Sequence, residues 1–136
     1  MIDLKEQETQ AAFLADQLND GEIDNVRLML QMVKGYYAHF PRLLADQRFR
    51  VRAGVYVLLQ ELAETGCEGC GGLAKLIEPI LHHKEAVFRA DAATALGVIG
   101  GPEQVHALRP LLSDPQFQVA ELAAESINEI LERYPS

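Results

Sequence analysis

The chain repeats itself, and that constrains its fold more than any single residue does. The apolar positions of Phe88-Arg89-x-x-Ala92-Ala93-x-x-Leu96-x-x-Ile99 all recur 31 residues later in Val119-Ala120-x-x-Ala123-Ala124-x-x-Ile127-x-x-Ile130. The same pattern stands 37 residues upstream as Val51-Arg52-x-x-Val55-Tyr56-x-x-Leu59-x-x-Leu62, with larger residues where the later copies have alanine. Between these copies runs a shorter pattern, Ala74-x-x-Ile77-x-x-Ile80-Leu81, which returns 31 residues on as Val105-x-x-Leu108-x-x-Leu111-Leu112. Apolar residues spaced three and four apart mark one face of an α-helix. The repeating unit is therefore a pair of helices, one short and one long. A unit of this kind cannot bury its apolar face alone and must stack on its neighbours. The expected fold class is all-α, a right-handed α-solenoid of helical hairpins with about seven to eight helices.

The same spacing extends to the N-terminal part. Leu4, Ala11, Leu14, Ala15 and Leu18 predict a helix over 3–18, and Asn19-Asp20-Gly21 supplies its stop. Val26, Met29, Leu30 and Val33 predict a second helix over 23–33, closed by Gly35. Residues 36–45, with Phe40-Pro41-Arg42-Leu43-Leu44, read as an earlier short helix only partly in register. Alternation at period two is absent, so no strand is expected. The whole of 1–136 reads as a single domain, with 1–45 matching the repeat weakly and 46–133 holding two full repeats and a terminal helix. The two offsets differ because the connection Thr65 to Gly72 is longer than its counterpart, Gly100-Gly101-Pro102. Asp46, His83 and Asp114 each lie five residues before a long helix's first apolar position. An N-cap role is expected there, with histidine the poorer cap. Pro79 and Pro110 fall near the ends of the short helices, where each removes an amide donor and should bend or end the helix.

The string Phe88-Arg89-Ala90-Asp91-Ala92-Ala93-Thr94-Ala95-Leu96-Gly97-Val98-Ile99-Gly100 resembles HEAT-like repeats, of the kind also named after phycobilisome lyases. Leu111-Leu112-Ser113-Asp114-Pro115 is similar to the turn between such repeats. The resemblance covers 46–133 well. It implies a ladder of Asp and Arg side chains between neighbouring units, which falls on Asp46, Arg52, Arg89 and Asp114. Ala120 replaces the arginine in the last copy and His83 replaces one aspartate, so an incomplete ladder is expected. A further reading implied by the resemblance alone is a bilin-lyase-like accessory role.

Charge narrows the function. Lys and Arg total 12 against 20 Asp and Glu, a net charge of −8 at pH 7, which repels nucleic-acid phosphates and anionic lipid. No nucleic-acid or membrane partner is expected. No window reaches the ~20 apolar residues of a membrane span. The first residues lack the basic-then-apolar order of a signal peptide, so a cytoplasmic location is expected.

Two function classes follow. A stacked helical array offers a concave surface to a partner protein, and the positions beside the apolar stripe of the short helices are Lys75, Glu78, His82, His106 and Arg109. The expected function is a protein-interaction scaffold or adaptor using that face. The alternative rests on Gly66-Cys67-Glu68-Gly69-Cys70-Gly71-Gly72, a C-x-x-C in a glycine-rich connection. Cys67 and Cys70 are spaced to reach one metal ion or to form a disulfide, and helix onset lowers a nearby thiol's pKa. Zinc usually takes four protein ligands, which a homodimer would supply from two such pairs. His82 and His83 lie too far along the helix, roughly 15 Å away at 1.5 Å per residue, to complete a site within one chain. No cofactor is otherwise expected. Metal-dependent hydroxylases with HEAT repeats carry His-Glu pairs where this chain has Ala90-Asp91, and no nucleophile–base arrangement or phosphate-cradling loop occurs, so no enzyme is expected.

Overall fold

The computed structural model describes residues 3–66 and 70–135, among which there are eight α-helices and no strand. The chain gathers into two compact units, Met1–Leu58 and Leu59–Ser136, and the division falls inside one helix.

The first unit opens with α1 (Leu4–Asn19), whose N-cap Asp3 accepts the Glu6 amide at 2.8 Å. Its buried residues, Ala11, Leu14, Ala15 and Leu18, form the stripe predicted from spacing. The expected stop is a Schellman motif: Glu22 N donates to Gln17 O at 2.9 Å and Gly21 N to Leu18 O at 3.1 Å. Gly21 sits at φ +82°, a conformation that costs a glycine nothing. Next come α2 (Ile23–Met32), a 3₁₀ segment (Lys34–His39), α3 (Phe40–Leu44) and the start of α4 (Phe49–Thr65). Phe40, Leu43 and Leu44 are buried with Leu14, Val26 and Val51. Residues 36–45 thus divide between a 3₁₀ segment and a single turn of α-helix, shorter than the later short helices.

In the second unit, α5 (Cys70–Ile77) leads into a 3₁₀ segment (Glu78–His82), and α7 (Pro102–Leu108) into another (Arg109–Ser113). Pro79 and Pro110 each occupy the second residue of the 3₁₀ segment. Neither proline can donate to a carbonyl four residues back, so the α-helix ends and the chain tightens. The connection before α5 is shorter than expected, because the helix already begins at Cys70. The long helices α6 (Ala86–Ile99) and α8 (Phe117–Arg133) pack on each other, while α7 lies against the 3₁₀ segment that follows α5. Ala92, Ala93 and Leu96 of α6 are buried, as are Val119, Ala123 and Ile130 of α8, and Leu108 at the end of α7 is fully buried.

Candidate functional site

The turns into the three long helices share one geometry, at 31 and 37 residues' separation. Asp46, His83 and Asp114 each donate their amide to the carbonyl three residues back, at 3.2, 3.0 and 3.0 Å. Each side chain then accepts the amide two residues ahead: Asp46 Oδ1 from Arg48 at 2.9 Å, His83 Nδ1 from Glu85 at 3.0 Å, Asp114 Oδ1 from Gln116 at 2.9 Å. These are Asx-type turns rather than helix caps. The N-caps of α6 and α8 are Glu85 and Gln116, neither with a capping side chain. The expected first-turn contact does not form because the acceptor stands two residues before the cap, and a short side chain reaches the cap's own amide first. Histidine substitutes for aspartate here because Nδ1 presents a lone pair at similar reach, which assigns the ring proton to Nε2.

An arginine closes the turn from six residues downstream. Arg52 Nη1 donates to the carbonyls of Asp46 and Gln47, both at 2.9 Å, and Arg89 Nη1 to those of His83 and Lys84 at 2.8 and 3.0 Å. Arg89 also meets Asp114 two-pronged, Nε to Oδ2 at 2.8 Å and Nη2 to Oδ1 at 3.0 Å, with side chains only 14% and 7% exposed. These hydrogen bonds from the guanidinium hold the Asp114 carboxyl below its ordinary range and raise the Arg89 pKa. The Asp46 carboxylate is held instead by Arg48, Nε at 3.0 Å and Nη2 at 3.1 Å, and its pKa falls through that hydrogen bond. Arg48 also reaches Asp16 at 2.9 Å. Arg48 escaped the sequence reading because nothing in local spacing marks an arginine that turns back on its own turn.

The short helices carry the other expected positions. Lys75, His82, His106 and Arg109 are exposed and Glu78 half-buried. Lys75 Nζ meets Glu103 Oε1 at 3.1 Å. Glu78 Oε2 accepts Gln104 Nε2 at 2.9 Å, and Gln104 Oε1 accepts the Gly101 amide at 2.8 Å. Gln104 is buried to 3% exposure, and its amide ties the start of α7 to the 3₁₀ segment that follows α5. Its signal was readable: a glutamine three residues after a helix N-cap is half of a capping box. Arg133, also unforeseen, donates to Gly97 O at 2.6 Å and Gly100 O at 2.7 Å, closing the C-terminal end of α6.

Cys67 lies outside the described residues, as does the side chain of Cys70; no group of three or more metal-ligating side chains occurs among the described residues. No described helix is long and apolar enough to cross a membrane. In the first unit, Glu8, Ala11, Ala15, Arg42, Asp46 and Arg48 border an open cleft. His39 is buried with Nε2 at 3.0 Å from Gln10 Oε1; burial and then the nearby Arg42 charge lower its pKa, keeping it neutral. No protein-family model and no curated protein sequence matches the chain.

Proposed function

We propose that this protein is an interaction module, a short α-solenoid of HEAT-like hairpins that holds a partner protein rather than transforming a substrate. The observation supporting the reading is that the short-helix segments repeat and touch, α7 packing on the 3₁₀ segment after α5. Lys75 and His106 occupy equivalent places, as do Glu78 and Arg109, and the hydrogen bond Glu78–Gln104 joins one short-helix segment to the next, with the exposed pair Lys75–Glu103 beside it. The outcome is a row of solvated polar groups along the short helices and the 3₁₀ segments that follow them. The turn shared by Asp46, His83 and Asp114 supports reading the units as one repeat. Protein partners are favoured over nucleic acid or a lipid surface by the net charge of −8.

The test is affinity capture from the native host with the natural chain and with Lys75→Ala, His106→Ala and Arg109→Ala combined. These exposed substitutions should leave folding within about 0.5 kcal/mol each. Partners recovered by the natural chain and lost by the triple variant support the reading. An identical set from both places binding elsewhere.

A further inference from the structure

We infer that the short-helix face selects an acidic partner segment carrying apolar side chains, bound through Arg109 and Lys75 beside Leu112; this rests on the interaction-module reading above. The short-helix segments carry two bases, Lys75 and Arg109, and two acids, Glu78 and Glu103, while α8 is mainly acidic. The exposed glutamates Glu121, Glu125, Glu129 and Glu132 all lie on α8. The exposed basic side chains Lys75 and Arg109, with His82 and His106, stand on the short-helix segments.

The acids on that face are already engaged. Glu78 accepts from the buried Gln104, and Glu103 is paired with Lys75. Lys75 and Glu103 are 64% and 66% exposed, and a pair that open to water is worth only about 0–1 kcal/mol, so the ammonium is readily shared with an incoming carboxylate. Arg109 is exposed and no hydrogen bond or ion pair holds it among the described residues. Its planar guanidinium is therefore left to take a carboxylate two-pronged.

The spacing of the segment adds an apolar contact. Side chains three apart eclipse one another in a 3₁₀ helix, so Leu112 lies directly beyond Arg109 on one edge. His106 precedes Arg109 by the same interval on the last turn of α7. Leu112 is 47% exposed, so the edge of the 3₁₀ segment reads Arg109, Leu112: a cation, then an apolar surface. A segment that alternates carboxylates with leucine-like side chains matches this order.

The inference contradicts what net charge alone predicts, and that makes it testable. A molecule of net charge −8 should repel acidic peptides and attract basic ones. The probes are two rhodamine-labelled amphipathic peptides of about twelve residues, one Glu/Leu and one Lys/Leu, followed by fluorescence anisotropy on the full chain. Peptide length is set by the roughly 15–20 Å that such a helix spans. The acidic peptide should bind, weaken as salt rises through the range where the screening length falls from about 10 Å toward 3 Å, and lose tenfold or more in affinity on Lys75→Glu with Arg109→Glu. Leu112→Ser should weaken it by several-fold with no change in salt dependence. Backbone NMR shifts on adding the peptide should cluster at 75–82 and 103–113, a readout that does not depend on any variant folding. Preference for the basic peptide, or shifts that fall elsewhere, overturns the inference. Such a result beside a capture that still depends on the face would leave the interaction module standing and refute only its acidic partner.

Discussion

Gly97 is the position where the packing of the two long helices can be tested most sharply. A Cβ added there would lie 2.5 Å from Ser126 Oγ, 2.8 Å from Ser126 Cβ and 3.0 Å from Ser126 Cα. The hydroxyl can rotate away, but the backbone carbon cannot. Gly97→Ala must therefore push α6 from α8. On an open helix the same change would stabilise by about 1 kcal/mol through helix propensity. Here overpacking costs about 1–3 kcal/mol, and a gap of ~0.5–1 Å forfeits a quarter to a half of the contact energy of the atoms lining it. Ala93, Leu96 and Ala123 on the two helices are fully buried. The expected net effect is a loss of about 1–2 kcal/mol, read from urea unfolding by far-ultraviolet circular dichroism. Ser126→Gly should recover part of it, because Oγ and Cβ leave while Cα remains, giving a coupling of about 0.5–2 kcal/mol in the double-mutant cycle. Gly72→Ala in α5 is the control: nothing lies within 4 Å of its added Cβ, so it should stabilise by up to about 1 kcal/mol. If Gly97→Ala stabilises as much as Gly72→Ala, the close approach of α6 and α8 is wrong.

Leu96, fully buried, should cost about 2–5 kcal/mol when cut to alanine, and a loss under about 1 kcal/mol would mean that it does not face α8. Acid should destabilise the protein in two steps. The folded pKa of His39 lies below its ordinary 6.5, so the unfolded chain takes up that proton first and stability falls as pH drops below about 6.5. Asp46 and Asp114 are likewise depressed, so their contribution is complete above the unfolded carboxyl value and is lost as pH falls from about 5 toward 2; Asp114→Asn should flatten that lower limb, and an unchanged limb would show that the Arg89 pair contributes nothing. Replacing Cys67 and Cys70 together by serine should leave stability within about 1 kcal/mol and change only redox behaviour, metal content or dimerisation; a larger loss in metal-free protein would reveal a structural disulfide or a buried pair.

Helices, their order and their repetition were legible because each depends on neighbours three or four residues away. The stripe Ala11-Leu14-Ala15-Leu18, the stop at Gly21 and the tightening at Pro79 and Pro110 all follow from backbone rules that act within one turn. The recurrence of Asp46, His83 and Asp114 was equally visible, yet their partner was not: a side chain's choice between the amide two residues on and the first helical turn depends on where the helix actually begins. Connections across the fold left even less trace. Arg89 finds Asp114 25 residues away, Gln104 finds Glu78 at 26, and Arg133 finds the carbonyl of Gly97 at 36. Nothing in a helical period distinguishes an arginine that will reach a neighbouring carbonyl from one that will stay in water. Gly97 shows the limit best, since as a sequence symbol it is a poor helix former, and only the place of Ser126 on the helix packed against it makes the missing Cβ a requirement. Pattern along the chain sets which faces are apolar; the distance at which two such faces meet, and hence which polar groups find each other around them, is set by side-chain volume in three dimensions.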